Sequence, residues 1–207
     1  MTPEQITKAS QDLFQAEKKR EQIKLLTSDY PDMKMDEAYA VQKALVGLKI
    51  ADGCKVTGWK IGLTSKAMQN ALNIDIPDSG ILFDDMHFKD KGVVPKGRFI
   101  QPRIEVEIAF VMKDGLDGAA SRQQVLSATD HVCPSIEILD TRILRVDPET
   151  GKTRTVFDTI SDNAANAGIV LGVQNHDPSA IDLRWTGAIC SRNGEVEETG
   201  LGAGVLN

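Results

Sequence analysis

The chain has 207 residues, 41% of them hydrophobic, and a net charge of −6. That size and apolar content support one globular domain with a sizeable core, and the acidic balance argues against a nucleic-acid partner, because phosphate binding wants a basic surface. No apolar run approaches the ~20 residues that span a bilayer, and MTPEQITKASQD lacks the basic start and apolar stretch of a signal peptide, so a cytoplasmic address with no membrane partner is expected.

In chain order, the first element is a helix. Thr2 can cap it, Pro3 suits its first turn and Gln5 completes a capping box. Ile6, Leu13 and Phe14 give it one apolar side, and it is expected to reach about Ile23. SDYPDMKMD reads as a loop. A second helix is expected from Asp36, with Ala38, Val41, Leu45 and Leu48 on one face and Gly53 placed to end it.

From Val56 the character changes to short apolar runs broken by glycine, proline and aspartate. These are KVTGWKIGLT, SGILF, RIEVEIAFVM, PSIEILDTRI, NAGIVLGV and LRWTGAICSRNGE, whose lengths suit strands. A helix is expected over Arg122–Asp130, and NAANAG reads as a turn or a single helical turn. The assembly predicted is α+β, with a mainly β, barrel-like core. Residues 1–54 form a helical segment and 55–207 a β-rich catalytic domain.

Cys54, Cys133 and Cys190 are scattered, as are His87, His131 and His176, so neither a disulfide framework nor a zinc spacing is present. The pattern that carries chemistry lies in RIEVEIAFVM. Period-2 alternation puts Ile104, Val106 and Ile108 on one face of a strand and Arg103, Glu105 and Glu107 on the other. PSIEILD offers a third carboxylate, Glu137, between Ile136 and Ile138. Two readings stand: a solvated acidic face, or a clamp for a hard divalent cation, which prefers carboxylate oxygens. Lys60, between Trp59 and Ile61, is either an ordinary exposed lysine or a proton carrier beside a polar site. Asp78, in IPDSG, is either a turn residue or that lysine's counterpart.

The ordered motifs GWKIGLTSKAMQ, IPDSGILFDDM, PRIEVEIAFVM, PSIEILDTRI and VFDTISDNAANAG resemble the hydratase/decarboxylase branch of the fumarylacetoacetate hydrolase superfamily, which serves meta-cleavage of aromatic acids. The resemblance runs from about residue 10 onward and implies a fumarylacetoacetate-hydrolase-type core with a cytoplasmic, Mg²⁺- or Mn²⁺-dependent lyase activity. By it, Glu105, Glu107 and Glu137 are metal ligands, with Ile104, Val106 and Ile108 anchoring the strand. Lys60 and Asp78 are catalytic acid/base groups, and Thr64 and Ser161 line the substrate pocket. A 2-oxo dioic acid is the implied substrate. Arg142, Arg145 and Arg154 are candidates for its distal carboxylate, unless they are merely solvated; Arg142 is the first choice.

Hydration is the expected reaction. A sister decarboxylase, a hydratase for the shorter 2-hydroxypenta-2,4-dienoate and a non-catalytic partner subunit are the alternatives. The family also implies a homo-oligomer, with a decamer of stacked pentamers as the expected form, and a complex with a sister decarboxylase. Relatives are expected to continue by roughly a quarter of their length past GLGAGVLN, through a helix and further barrel strands.

Overall fold

A computed structural model describes residues 1–71 and 74–205. Helix α1 (Pro3–Lys19) opens on the expected capping box, Thr2 and Gln5 each satisfying the other's backbone N–H. It stops short of Ile23, because Arg20 adopts a left-handed φ of 57° and closes the helix. Ile23 instead bridges in parallel to Ile143, its N–H donating to the Arg142 carbonyl at 2.8 Å. A short helix α2 (Leu26–Asp29) begins ahead of the expected loop. Helix α3 (Met35–Ala51) buries Ala38, Val41 and Leu45, while Leu48 is only half-buried. Lys49 is buried in its place, bonded to Glu17 at 2.6 Å and lying over the Phe83 ring.

The strands follow the apolar runs. β1 (Val56–Gly62) pairs antiparallel with β2 (Asp78–Phe83), and a short helix α4 (Lys66–Ala71) lies in the connection. β3 (His87–Phe88), β4 (Arg103–Met112), β5 (Thr129–Leu139) and β6 (Asn166–Leu171) form one sheet in the order β3-β6-β5-β4. Helix α5 (Arg122–Ala128) leads into β5, which starts at Thr129 and takes over the end of the expected helix. Helix α6 (Val156–Ser161) precedes the NAANAG turn, and β7 (Gly187–Arg192) and β8 (Glu195–Leu201) make a separate hairpin. No helix of the described residues is long and apolar enough to cross a membrane.

The fold is therefore mixed α and β, and the expected barrel-like core is not closed among the described residues. The strands lie in three sheets with no ladder between them. The β1–β2 pair is tied to the main sheet by side chains instead. Asn163 accepts from the Ile81 N–H at 2.7 Å and donates to its carbonyl at 2.9 Å, and Asn166 Nδ2 reaches the same carbonyl at 3.0 Å. A second departure concerns β4: of its expected apolar anchor Ile104 is 56% exposed and Val106 48%, while Ile108 is half-buried. β4 is held as an edge strand by its backbone ladder with β5, not by burial of those side chains.

The larger apolar core gathers Ala9 and Leu13 of α1, Leu25 and Leu26, Val41 and Leu45 of α3, Ile143 and Ile160. Within it Asp158 is fully buried. It accepts from the Thr27 N–H (2.9 Å) and hydroxyl (2.7 Å) and from the Thr155 N–H (2.9 Å), joining α2 to the cap of α6. Removing this buried charged acceptor takes away the shared partner of half-buried Thr27 and exposed Thr155, so Asp158→Ala is expected to lose about 2–3 kcal/mol. Urea denaturation of the variant measures this; a loss under about 1 kcal/mol would contradict the clamp.

Candidate active site

Strand register brings the three glutamates together. Glu105 of β4 stands directly opposite Glu137 of β5, and Glu107 opposite Ser135. Like charges in that arrangement oppose sheet formation. One carboxylate oxygen from each of Glu105, Glu107 and Glu137 lies within 4.8 Å of the others, with Glu137 buried and the other two exposed. At 4.8 Å two ionised carboxylates repel by about 3.5 kcal/mol at an effective dielectric of about 20, less where water screens the exposed pair.

The electrostatics carry the mark of that crowding. Burial, followed by repulsion from Glu105 and Glu107 and opposed by Lys60, pushes the Glu137 pKa up to about 7. Burial, with Glu105 next, also raises Glu107. Glu137 Oε1 is buried and accepts no hydrogen bond, although Lys60 Nζ stands 3.4 Å away as an ion-pair contact. An orphaned carboxylate oxygen among three converging hard donors fits a divalent cation.

Lys60 reaches this place because the alternation of β1 turns Trp59 and Ile61 outward, 67% and 55% exposed, while its own side chain is 11% exposed. Asp78 starts β2 opposite Gly62, buried, with Oδ1 unbonded. Burial raises its pKa, with Lys60 and the Gly62 N–H pulling the other way. The neighbouring Ser79 is held by α3: Tyr39 Oη accepts from its N–H at 3.2 Å and Gln42 Nε2 donates to its carbonyl at 2.8 Å. Behind β2, Asn163, Ala164 and Ala165 all take left-handed φ values of 52–56°. That conformation costs about 1–2 kcal/mol for each non-glycine residue, which the two hydrogen bonds of the Asn163 clamp on Ile81 offset only in part.

Thr64 sits half-buried, two residues beyond β1. Ser161 is fully buried at the end of α6, its hydroxyl 3.9 Å from Met33 Sδ, packed into the helical layer and not beside the glutamates. Arg142 is also sealed in: it bonds Asp162 Oδ1 at 2.5 Å and the carbonyls of Asp162 and Asn166, and lines a separate cavity with Glu17, Lys49 and Asp140. Its donors are committed to the fold. Sequence reasoning passed over Tyr39, Gln42 and Asn163, which bond to β2, and Gly62, which stands opposite Asp78. The repeated glycines of GWKIG and IPDSG were the one signal available for any of them.

No family model matches the chain. It is 54% identical over 202 residues to the 2-oxo-hept-4-ene-1,7-dioate hydratase of Escherichia coli, covering 97% of this chain and 76% of that protein. It is 39% identical over 210 residues to the 4-oxalocrotonate decarboxylase of Pseudomonas sp. (strain CF600), covering 100% of this chain and 76% of that protein. Among solved structures, the 4-oxalocrotonate decarboxylase from Pseudomonas putida G7 complexed with magnesium and adipate superposes with a TM-score of 0.89 at 34% identity, over 100% of this chain and 76% of that one.

The raised pKa of Glu137 sets the direction of a pH effect. Below about 7 its carboxyl is mostly protonated, and an incoming cation must displace that proton. Divalent-cation affinity is expected to fall as pH drops through 7, towards about tenfold per unit. Calorimetric titration with Mg²⁺ at about pH 6 and about pH 8 tests this; equal affinities would contradict it.

Proposed function

The chain belongs to the hydratase/decarboxylase branch of the fumarylacetoacetate hydrolase superfamily, and we propose that it is a hydro-lyase adding water to 2-oxohept-4-ene-1,7-dioate. The substrate is equally its 2-hydroxyhepta-2,4-dienedioate tautomer, and the product is 4-hydroxy-2-oxoheptane-1,7-dioate. The observation that carries the reading is the trio Glu105, Glu107 and Glu137 with Lys60 alongside, in a chain 54% identical to the Escherichia coli hydratase.

Glu105, Glu107 and Glu137 would hold magnesium or manganese, which when bound supplies Lewis-acid polarisation of the substrate's 2-oxo group. Protonation at C5, with loss of the enol proton, moves the double bond into conjugation with the ketone. Water then adds at C4 while C3 takes a proton. This route needs one group that holds a proton and one that accepts it. Lys60 carries a donor-only ammonium into the site, and the Asp78 carboxylate, made more basic by burial, is the group that accepts a proton. The two transfers are assigned to this pair. Residues 55–207 form the catalytic unit and residues 1–54 support it, through the hold of Tyr39 and Gln42 on β2. A homo-oligomer, and association with a sister decarboxylase, belong to the same reading.

The far carboxylate of a dioate needs cations that the fold has used only in part; Arg145 Nε donates to Gln101 Oε1 at 3.1 Å and Arg154 Nη1 to Thr141 Oγ1 at 2.6 Å. Arg103 extends from the same face of β4 as Glu105 and Glu107. Burial, then repulsion from Arg154 and Arg103, lowers the pKa of Arg145, whose Nη2 has no hydrogen-bond partner. Backbone pairing of the Arg154 N–H with the Arg145 carbonyl, at 2.9 Å, keeps those two side by side. This cationic group, not Arg142, is assigned to the C7 carboxylate. The dicarboxylate adipate bound with magnesium in the related decarboxylase supports a dioate ligand.

A spectrophotometric assay of the hydroxydienoate with and without Mg²⁺ tests the function. Magnesium-dependent consumption without CO₂ release is expected; CO₂ release from a 2-oxo-3-enedioate would make the chain a decarboxylase. Binding of Mn²⁺ with turnover of neither would make it a partner subunit. Lys60→Met is expected to keep the cation and lose at least about 100-fold in kcat; a rate within a few-fold of wild type would make Lys60 structural. Arg145→Ala is expected to raise KM for the dioate about tenfold or more while sparing the mono-acid 2-hydroxypenta-2,4-dienoate. Equal losses on both substrates would remove Arg145 from the distal subsite.

A further inference from the structure

We infer that Gly62 is a positioning residue for the proton-transfer pair, an assignment that rests on the hydratase reading: the absence of a side chain there lets the Asp78 carboxylate and the Lys60 ammonium converge on the space over β1 that a β-carbon would fill. Lys60 and Gly62 share one face of the strand, and across the ladder Gly80 stands opposite Lys60 and Asp78 opposite Gly62. Each large polar side chain is thus matched with a glycine on the partner strand. A β-carbon added at Gly62 would overlap Asp78 Oδ1, and would stand 2.9 Å from Lys60 Nζ and 3.2 Å from Asp78 Cγ.

What such a β-carbon meets makes the position selective. Gly62 is not among the glycines with left-handed φ, so its backbone accepts alanine without strain. The three nearest atoms to it belong to the working ends of Lys60 and Asp78, which can shift and leave the backbone in place. Gly80 differs, because its added carbon would come within 2.6 Å of the Asn163 carbonyl, a backbone atom clamped behind β2. At Gly58 the nearest atom is Leu82 Cδ1 at 3.5 Å, an ordinary contact. The three glycines therefore do different work: Gly58 is permissive, Gly80 serves strand packing, and Gly62 serves the chemistry.

The test is a double-mutant cycle of G62A, D78A and G62A/D78A, read by kcat, KM, Mg²⁺ affinity and Tm. G62A is expected to lower kcat at least about 30-fold, since a displacement near 1 Å can cost about 100-fold. KM and Mg²⁺ affinity should stay within about three-fold and Tm within a few degrees. In the D78A background the overlap with Asp78 is gone and only the flexible end of Lys60, 2.9 Å away, must give, so the further loss in kcat should be under about three-fold. A G62A enzyme within about three-fold of wild-type kcat, or an equal loss in both backgrounds, would overturn the assignment. If the wild type turns over neither substrate, the hydratase reading fails separately. A crystal structure of G62A then decides the positioning claim: displacement of Asp78 Oδ1 and Lys60 Nζ over an intact β1–β2 ladder upholds it, and unmoved side chains overturn it.

Discussion

Glu105 and Glu137 face each other across an antiparallel ladder, and the site is organised around that unfavourable pairing. Facing carboxylates on neighbouring strands repel, and a third from Glu107 adds to the strain. Two features offset it: the Lys60 ammonium brought in from another sheet, and the partial protonation that burial imposes on Glu137. Neither satisfies the orphaned Glu137 oxygen. Three hard donors with a residual deficit of positive charge are what a divalent cation completes.

The second half of the site depends on how β1 and β2 are held against the main sheet. Among the described residues no backbone ladder joins them, and polar side chains carry the connection. Asn163 and Asn166 grip Ile81 from behind, and Tyr39 and Gln42 hold Ser79 from the α3 side. Lys60 and Asp78 are positioned by this frame rather than by local sequence. The left-handed run Asn163–Ala164–Ala165 is the conformational cost of aiming the clamp, and it falls in the turn that joins the helical layer to β6.

Buried charge elsewhere serves structure. Arg142 with Asp162, Lys49 with Glu17, and Asp158 with its threonine donors all lie in or beside the helical core. Each is matched with partners inside the fold, whereas Asp78 Oδ1 and Glu137 Oε1 are not. Ser28 Oγ and Asn166 Oδ1 are unpartnered as well, so what marks Asp78 and Glu137 is that their unpartnered oxygens both lie within the influence of Lys60. The contrast in partners also explains why Arg142 and Arg145, three residues apart, have different prospects.

Sequence by itself determined the strand alternation of β4, the capping box of the first helix, and the residue types of the site. These follow from periods and local hydrogen bonds that need no distant partner. It also carried the family resemblance, and with it the identity of the acidic trio. It did not reveal that Ile104 and Val106 face outward, because alternation defines two faces without saying which is covered. Nor did it place Arg142, Ser161 or Gly62, since one residue's neighbours across a ladder depend on register and on which sheet lies behind. Only the tertiary structure decided that Glu105 opposes Glu137, that Asp78 opposes a glycine, and that the β1–β2 pair is joined to the main sheet by side chains. The physical reason is common to all three: a strand's chemistry is local, but a charge's environment is set by whatever the rest of the chain brings within a few ångströms of it.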